Sequence, residues 1–239
     1  MRVCLDAGHG GKDVGAWGKG GLLEKDIALS ASLMEKACFE KYGHEVILTR
    51  ETDEDVPLEK RIDIANKSDA HILISNHVNT GGARGVEVYH SASDVTGKKS
   101  AQNICRFLSY AGLINRGAKI KKGIGGDYNM IIRESHMTAV KIELGFIDNT
   151  YDSVFLKDNF FLNKFAEAIV FSILDTFEPE FNYTEGESHD VFLDEVLMLT
   201  VNDFEMGKRY IVNAVQSKIC NEGSLILKSS GEKLFYYKL

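Results

Sequence analysis

Hydrophobic and polar positions follow two periods along the first three quarters of the chain. Short apolar runs closed by glycine or polar residues predict buried strands, and apolar residues three or four positions apart predict amphipathic helices. The predicted strands are 2–7, 45–50, 70–75, 85–89 and 139–144. The predicted helices are 27–38, 58–66, 96–108 and 162–173. This alternation predicts an α/β fold, in which a twisted, largely parallel sheet is flanked by helices on both faces.

The pattern changes after residue 177. Pro179 opens a polar, acidic and aperiodic stretch, which predicts a linker over 178–190. The chain therefore divides into a first domain, 1–177, and a small C-terminal module, 191–239. Short apolar runs predict a β-rich module, with strands at 196–201, 209–215, 224–228 and 233–237.

Composition narrows the class of protein. The 239 residues are 44% hydrophobic and 26% charged, as in a globular protein with a buried core. The net charge of −7 (28 basic against 35 acidic residues) offers no broad basic surface, so we expect no nucleic-acid partner. No apolar run reaches the roughly 20 residues of a membrane span, and the N-terminus lacks the apolar core of a signal peptide. We therefore expect synthesis in the cytoplasm without a leader and no transmembrane segment.

Candidate catalytic groups follow the ends of the predicted strands. His9 comes just after the first strand, His77 just after 70–75, and Glu143 lies within 139–144. Carboxyl ends of parallel strands share one edge of a sheet, and Glu24 opens a helix that returns from that edge. Two imidazoles and a carboxylate suit Zn²⁺ with an open position for water, and a second carboxylate suits a general base.

Other roles remain open for these residues. Glu24 also fits a first-turn carboxylate that the helix dipole stabilises, the commoner situation for a single residue. Glu143, between Ile142 and Leu144, is costly to bury unless it is functional or forms a salt bridge on the strand face. The Gly10-Gly11 turn could cradle a phosphate, but it lacks the spacing of either nucleotide-binding glycine motif.

Four blocks of sequence resemble the zinc-dependent N-acetylmuramoyl-L-alanine amidases of the amidase 3 type. In chain order they are DAGHGGKD at 6–13, LEKD at 23–26, SNHVN at 75–79 and ELGFIDN at 143–149. The resemblance covers roughly residues 1–175, in the family's order and spacing. It implies a twisted sheet flanked by helices, and hydrolysis of the amide between N-acetylmuramic acid and L-alanine in bacterial peptidoglycan.

The resemblance also implies a role for each matched residue. His9, Glu24 and His77 would bind zinc, and Glu143 would be catalytic. We take Asn79 and Arg133 as candidate substrate contacts, although Arg133 also fits a surface salt bridge. Two further residues, Asp6 and Asn76, either orient the histidines or serve as turn residues.

Two functional alternatives stay beside the amidase. One is another zinc-dependent peptidoglycan peptidase, such as a carboxypeptidase, and the other is a non-catalytic cell-wall-binding protein. Without a leader, a phage or prophage endolysin is the expected kind of amidase, reaching the wall after release through a holin or after lysis. Residues 191–239 would then bind the wall or mediate oligomerisation, or simply extend the catalytic domain.

Overall fold

A six-stranded sheet organises residues 1–178 in the computed structural model of this protein. The structure describes residues 1–178, 180, 189–193, 196–201, 208, 209, 211, 213, 222–227, 230 and 233–238. The strands of the sheet are β1 (Arg2–Ala7), β2 (Glu45–Leu48), β3 (Ile72–Asn79), β4 (Val86–His90), β5 (Asn115–Lys119) and β8 (Thr138–Phe146). Their order is β2-β1-β3-β8-β4-β5, and every neighbouring pair is parallel except β4 with β8. The predicted largely parallel sheet is confirmed.

Helices cover both faces of this sheet. They are α1 (Glu24–Lys41), α2 (Leu58–Lys67), α3 (Val95–Tyr110), α4 (Met130–Arg133), α5 (Asp152–Leu156) and α6 (Asn159–Phe177), with one 3₁₀ turn at Lys19–Gly21. Alternate strand residues face opposite layers. Val3 and Leu5 join the core formed with α1, α3 and α6, whereas Cys4 packs with α2 and α4. None of the described helices combines the length and apolar character needed to cross a membrane.

The short elements are those that the sequence pattern did not reveal. The edge strand β5 is built from polar, half-exposed residues, and the hairpin of β6 (Lys122–Gly123) and β7 (Gly126–Asp127) has two residues per strand. Such segments bury little apolar surface, so they leave no hydrophobic period to recognise.

A second sheet lies in the C-terminal region. Strands β9 (His189–Leu193), β10 (Val196–Val201), β11 (Glu222–Leu227) and β12 (Lys233–Lys238) form an antiparallel sheet in the order β10-β9-β11-β12. The strands predicted at 196–201, 224–228 and 233–237 are confirmed to within two residues. The strand predicted at 209–215 is wrong, because the described residues Arg209, Ile211 and Asn213 are helical.

The C-terminal region makes contacts with the first domain. Ile211 is fully buried in the core that α6 lines, and Arg209 and Asn213 both donate to the carboxylate of Asp158 at the start of α6. These contacts favour an extension packed on the first domain. Most of the predicted linker 178–190 lies outside the described residues, so the domain division stays a prediction.

A buried carboxyl group under the sheet has a consequence for stability. Glu35 of α1 is fully buried, and burial raises its pKa to about 8, although the Asn76 amide donates to it at 3.0 Å. The folded state therefore keeps the Glu35 proton over a pH range where an unfolded glutamate, with a pKa near 4.3, has lost it. Stability is accordingly lost as pH rises from about 4.3 to 8.

We expect Glu35→Gln to remove this loss. The wild-type free energy of unfolding should fall by up to about 3.5 kcal/mol between pH 5 and pH 8 through Glu35, and the variant should lack that part of the slope. Urea unfolding at the two pH values measures it. Equal pH slopes in the two proteins would contradict the assignment.

Candidate active site

The loop after β1 carries His9 in a constrained backbone. His9 has a φ of 60°, a left-handed conformation that is uncommon outside glycine. Two buried arginines hold the loop by its carbonyl oxygens: Arg50 donates to Ala7 and Gly8, and Arg61 donates to Ala7 and His9. These bonds over-determine the loop, which is how a strained residue persists in a folded protein.

Three side chains converge near the carboxyl ends of β1 and β3. Glu24 Oε1 lies 3.1 Å from His9 Nε2 and 2.9 Å from His77 Nδ1. The ligand atoms of His9, Glu24 and His77 all lie within 4.8 Å of one another. Two nitrogens and one carboxylate oxygen around a single point can hold a metal ion, and the donor set matches a catalytic zinc site.

Small residues make this convergence possible. A Cβ atom at Gly8 would lie 2.5 Å from His77 Cε1, and one at Gly15 would lie 2.6 Å from Glu24 Oε2. Gly15 also has a φ of +65°. Any larger residue at either position would push a ligand side chain away from the centre.

The charges of the three groups are coupled. Burial alone would raise the pKa of Glu24, but the two histidines hold it well below its usual range. Burial, assisted by Lys141, lowers the pKa of His77. Burial opposes protonation of His9 as well, but Glu24 and Asp13 outweigh it and raise the pKa of His9. An ionised carboxylate and a neutral His77 are the forms that bind a metal.

Asp13 is a site residue that the sequence did not reveal. Its Oδ2 lies 2.8 Å from His9 Nδ1, on the side of the ring opposite Glu24. A carboxylate on the second ring nitrogen fixes the tautomer of a metal-binding histidine. The spacing of four residues from His9 within one loop was the only available signal.

Asp6 and Asn76 do not have the histidine-orienting role that we considered for them. The Asp6 carboxylate accepts hydrogen bonds from Thr49, Ser75 and Arg61. The Asn76 amide donates to Glu35 and Ser32 of α1, on the face of β3 opposite His77. Asp6 is linked to His9 through Arg61, which donates to the Asp6 carboxylate and to the His9 carbonyl.

The ion pair of Asp6 and Arg61 predicts a large loss of stability when it is broken. The two residues are 1% and 6% exposed, and their atoms lie 2.9 Å apart. Arg61→Met would leave the Asp6 carboxylate buried without its cation, so we expect the free energy of unfolding to fall by about 3–5 kcal/mol. Chemical denaturation measures it, with the exposed neighbour Lys60→Met as the control.

The pH dependence of this pair has a defined sign. Despite burial, Arg61 and the two hydroxyl donors hold the pKa of Asp6 below its usual range. The stability that it contributes is present above the unfolded pKa of about 3.9 and is lost as pH falls through the folded pKa. In Arg61→Met this acid-sensitive contribution should shrink. An unchanged loss of stability at low pH would argue against the ion pair of Asp6 and Arg61.

Glu143 lies on β8 directly beside the metal-ligand cluster. It pairs in register with His77 of β3, is 8% exposed, and accepts a hydrogen bond from Lys141 Nζ at 2.6 Å through Oε1. The salt bridge considered for Glu143 therefore exists, and it is formed two residues away on the same strand. It coexists with a position next to the candidate metal centre.

Asn79 and Arg133 lie in different surroundings. Asn79 ends the strand of His77, and its amide lies 3.4 Å from Glu87 Oε2. Arg133 donates to the Asp127 carbonyl and to Glu134. It lines a cavity of about 540 Å³ whose named lining residues include none of His9, Glu24, His77 and Glu143. The structure therefore places Asn79 two residues from His77 on the same strand and Arg133 in a separate cavity.

The sequence and the fold both match known cell-wall amidases. Residues 3–175 match the family model Amidase_3, described as N-acetylmuramoyl-L-alanine amidase. The chain belongs to this amidase family. The endolysin of Bacillus phage SPP1 is 37% identical over 171 residues, which cover 69% of this chain and 62% of the endolysin.

Solved structures of similar proteins share the fold. AmiC2, an N-acetylmuramoyl-L-alanine amidase of Nostoc punctiforme, is 32% identical with a TM-score of 0.66, over 73% of this chain and 96% of AmiC2. Cwp6 from Clostridium difficile is 30% identical with a TM-score of 0.71, over 74% of this chain but 29% of Cwp6. The match thus covers nearly the whole of AmiC2 but only part of the SPP1 endolysin and of Cwp6.

Proposed function

We propose that this amidase-family protein hydrolyses the amide between N-acetylmuramic acid and L-alanine in peptidoglycan, with zinc bound by His9, Glu24 and His77. The observation that carries the proposal is the meeting of these three ligands beside Glu143, at one edge of the sheet. Family membership supplies the bond and the substrate class. The donor chemistry supplies the metal.

In the proposed reaction the protein moves one proton. A bound zinc ion supplies a Lewis acid that lowers the pKa of water and polarises the scissile carbonyl. Glu143 takes the proton of the attacking water and passes it to the leaving alanine nitrogen. The Lys141 ammonium donates a hydrogen bond to Oε1 of Glu143, so we assign the proton transfer to Oε2. Asp13 keeps Nδ1 of His9 hydrogen-bonded and orients the ring.

The alternatives differ in their products. A zinc-dependent peptidase would cut within the stem peptide, and a non-catalytic wall-binding protein would cut nothing. The complete set of ligands and the adjacent carboxylate favours a catalyst over a binding protein. Similarity to amidases favours the muramoyl bond over a peptide bond.

Mass spectrometry of digested walls tests the proposal. Purified protein supplied with zinc should release stem peptides that begin with a free L-alanine amine, and should leave glycan strands whose lactyl carboxyl groups are free. Shortened stem peptides still attached to muramic acid would indicate the peptidase. Intact walls after prolonged incubation would indicate the binding protein.

We further propose that the protein acts on the cell wall as an endolysin of phage or prophage origin. Its similarity to the endolysin of phage SPP1 supports this proposal. Asn79 and Arg133 are proposed substrate contacts, Asn79 near the scissile bond and Arg133 at a distal subsite. For residues 191–239, the contacts of Arg209, Ile211 and Asn213 favour a structural extension over a separate wall-binding module.

A further inference from the structure

Two rows of side chains cross the sheet beside the candidate metal centre. In the first row His77 of β3 pairs with Glu143 of β8, and Glu143 pairs with Glu87 of β4. Arg116 of β5 extends this row by donating to Glu87 at 2.7 Å. Both glutamates are therefore already paired with a cation, Glu143 with Lys141 and Glu87 with Arg116.

The second row is cationic. Lys141 of β8 pairs in register with Tyr89 of β4, and Tyr89 pairs with Lys119 of β5. Residues 114–122, which include β5, hold four basic residues and no acidic residue, in a chain of net charge −7. Lys141 is 20% exposed. Its ammonium has three N–H donors, and the bond to Glu143 uses one of them.

The opposite flank of the centre has a different chemistry. A cleft of about 270 Å³ runs from His9 and His77 toward α2. Its walls include the acidic and apolar side chains of Asp13, Asp55, Val56, Pro57 and Leu58, and the basic Arg61, which is 6% exposed and paired with Asp6. The two flanks thus differ in charge, and only the flank of Lys141 offers a partly exposed cation next to the catalytic glutamate.

The proposed substrate has a matching asymmetry. On one side of the scissile amide is a neutral amino sugar, and on the other is a peptide whose second residue is D-glutamate linked through its side-chain carboxyl. Its free α-carboxylate lies roughly 6 Å from the scissile nitrogen in an extended chain, at about 3.3–3.6 Å per residue. Lys141 Nζ lies 2.6 Å from Glu143 Oε1, so a carboxylate roughly 6 Å from an amide nitrogen beside Glu143 Oε2 comes within reach of the Lys141 ammonium.

We propose that Lys141 is a specificity-determining residue that binds the α-carboxylate of the D-glutamate next to the scissile bond, and so selects stem peptides in which this carboxylate is free over those in which it is amidated. The inference rests on the proposed amidase function. The peptide then extends over β8 and β4 toward Tyr89, and the glycan occupies the cleft beside α2. A charge-assisted hydrogen bond is formed with D-isoglutamate and lost with D-isoglutamine.

A matched pair of substrates tests this selection. We would measure kcat/KM of the zinc-loaded full chain on two disaccharide pentapeptides that differ only in carrying D-isoglutamate or D-isoglutamine. The wild type should prefer the free acid by about ten- to a hundredfold, the range expected for one hydrogen bond to a charged group. The preference should decrease with added salt because Lys141 is partly exposed.

Variants assign the preference to Lys141. Lys141→Met should abolish it, Lys141→Arg should retain most of it, and Lys98→Met, which removes an exposed lysine from α3, should leave it unchanged. Because loss of the Lys141–Glu143 ion pair affects both substrates alike, the ratio of the two kcat/KM values is the diagnostic quantity.

Each outcome has one meaning. Equal cleavage of both substrates by the wild type would overturn the inference and leave the amidase function intact. An undiminished preference in Lys141→Met would also overturn it. If that variant does not fold, the preference of the wild type for the free acid and the decrease of this preference with added salt still test the inference. Release of no alanine amine from either substrate would instead refute the proposed function.

Discussion

Replacing Glu143 by glutamine is expected to reduce hydrolysis of the muramoyl amide by about 10²–10⁴-fold, the usual contribution of a general acid–base residue. Glutamine fills the same space beside His77 but cannot accept and return a proton. The three ligand side chains do not depend on Glu143, so the variant should bind as much zinc as the wild type. Release of alanine amines from purified walls, with metal analysis of the same sample, measures both quantities.

The control for this variant is Glu40→Gln, which changes an exposed carboxylate at the far end of α1. It should retain full activity. Glu143→Ala should be as inactive as Glu143→Gln, although it also leaves Lys141 without its partner. Substantial wall hydrolysis by both Glu143 variants would overturn the role that we give this residue.

Removal of the metal is expected to have an effect of similar size. Lewis-acid activation contributes several kcal/mol, and about 1.4 kcal/mol is tenfold in rate, so a chelated protein should lose at least about 10³-fold in activity. Added zinc should restore the activity of the wild type. It should not restore His77→Ala, because that variant keeps only His9 and Glu24 as ligands.

Binding of zinc to the folded state also predicts a thermal shift. At a free zinc concentration about 100 times the dissociation constant, the folded state should gain about 2.7 kcal/mol. His77→Ala should lack this gain, whereas His71→Ala, an exposed histidine before β3, should behave as the wild type. Full activity in a protein shown to be free of metal would refute the proposed zinc mechanism.

The sheet and its principal helices were predictable because the hydrophobic period is strong where an element is buried. β1 was predicted at its observed bounds, and α1 and α6 extend their predicted ranges by a few residues at each end. The wrong strand at 209–215 centres on the short apolar run Tyr210-Ile211-Val212. A run of three apolar residues fits a strand or a helix equally well. In the structure the helical residue Ile211 is buried in the main core.

The candidate site was predictable to different degrees. His9 and His77 could be assigned to one edge because parallel strands end together. From residue reasoning alone Glu24 stayed ambiguous, since a carboxylate in the first turn of a helix is common. Its position between two imidazoles depends on how α1 packs against β1 and β3. The orientation of Asn76 away from His77 follows from strand alternation, which the expectation for Asn76 had not taken into account.

The amino-acid sequence by itself determined the order of strands and helices, the candidate ligands and the family resemblance, because these are carried by local periodicity and by short motifs. Only the tertiary structure decided that Glu24 Oε1 lies within 3.1 Å of both histidines and that Glu143 of β8 lies in register with His77 of β3. The reason is physical: such contacts join atoms whose distance depends on the packing of whole elements. No local pattern of the chain encodes that distance.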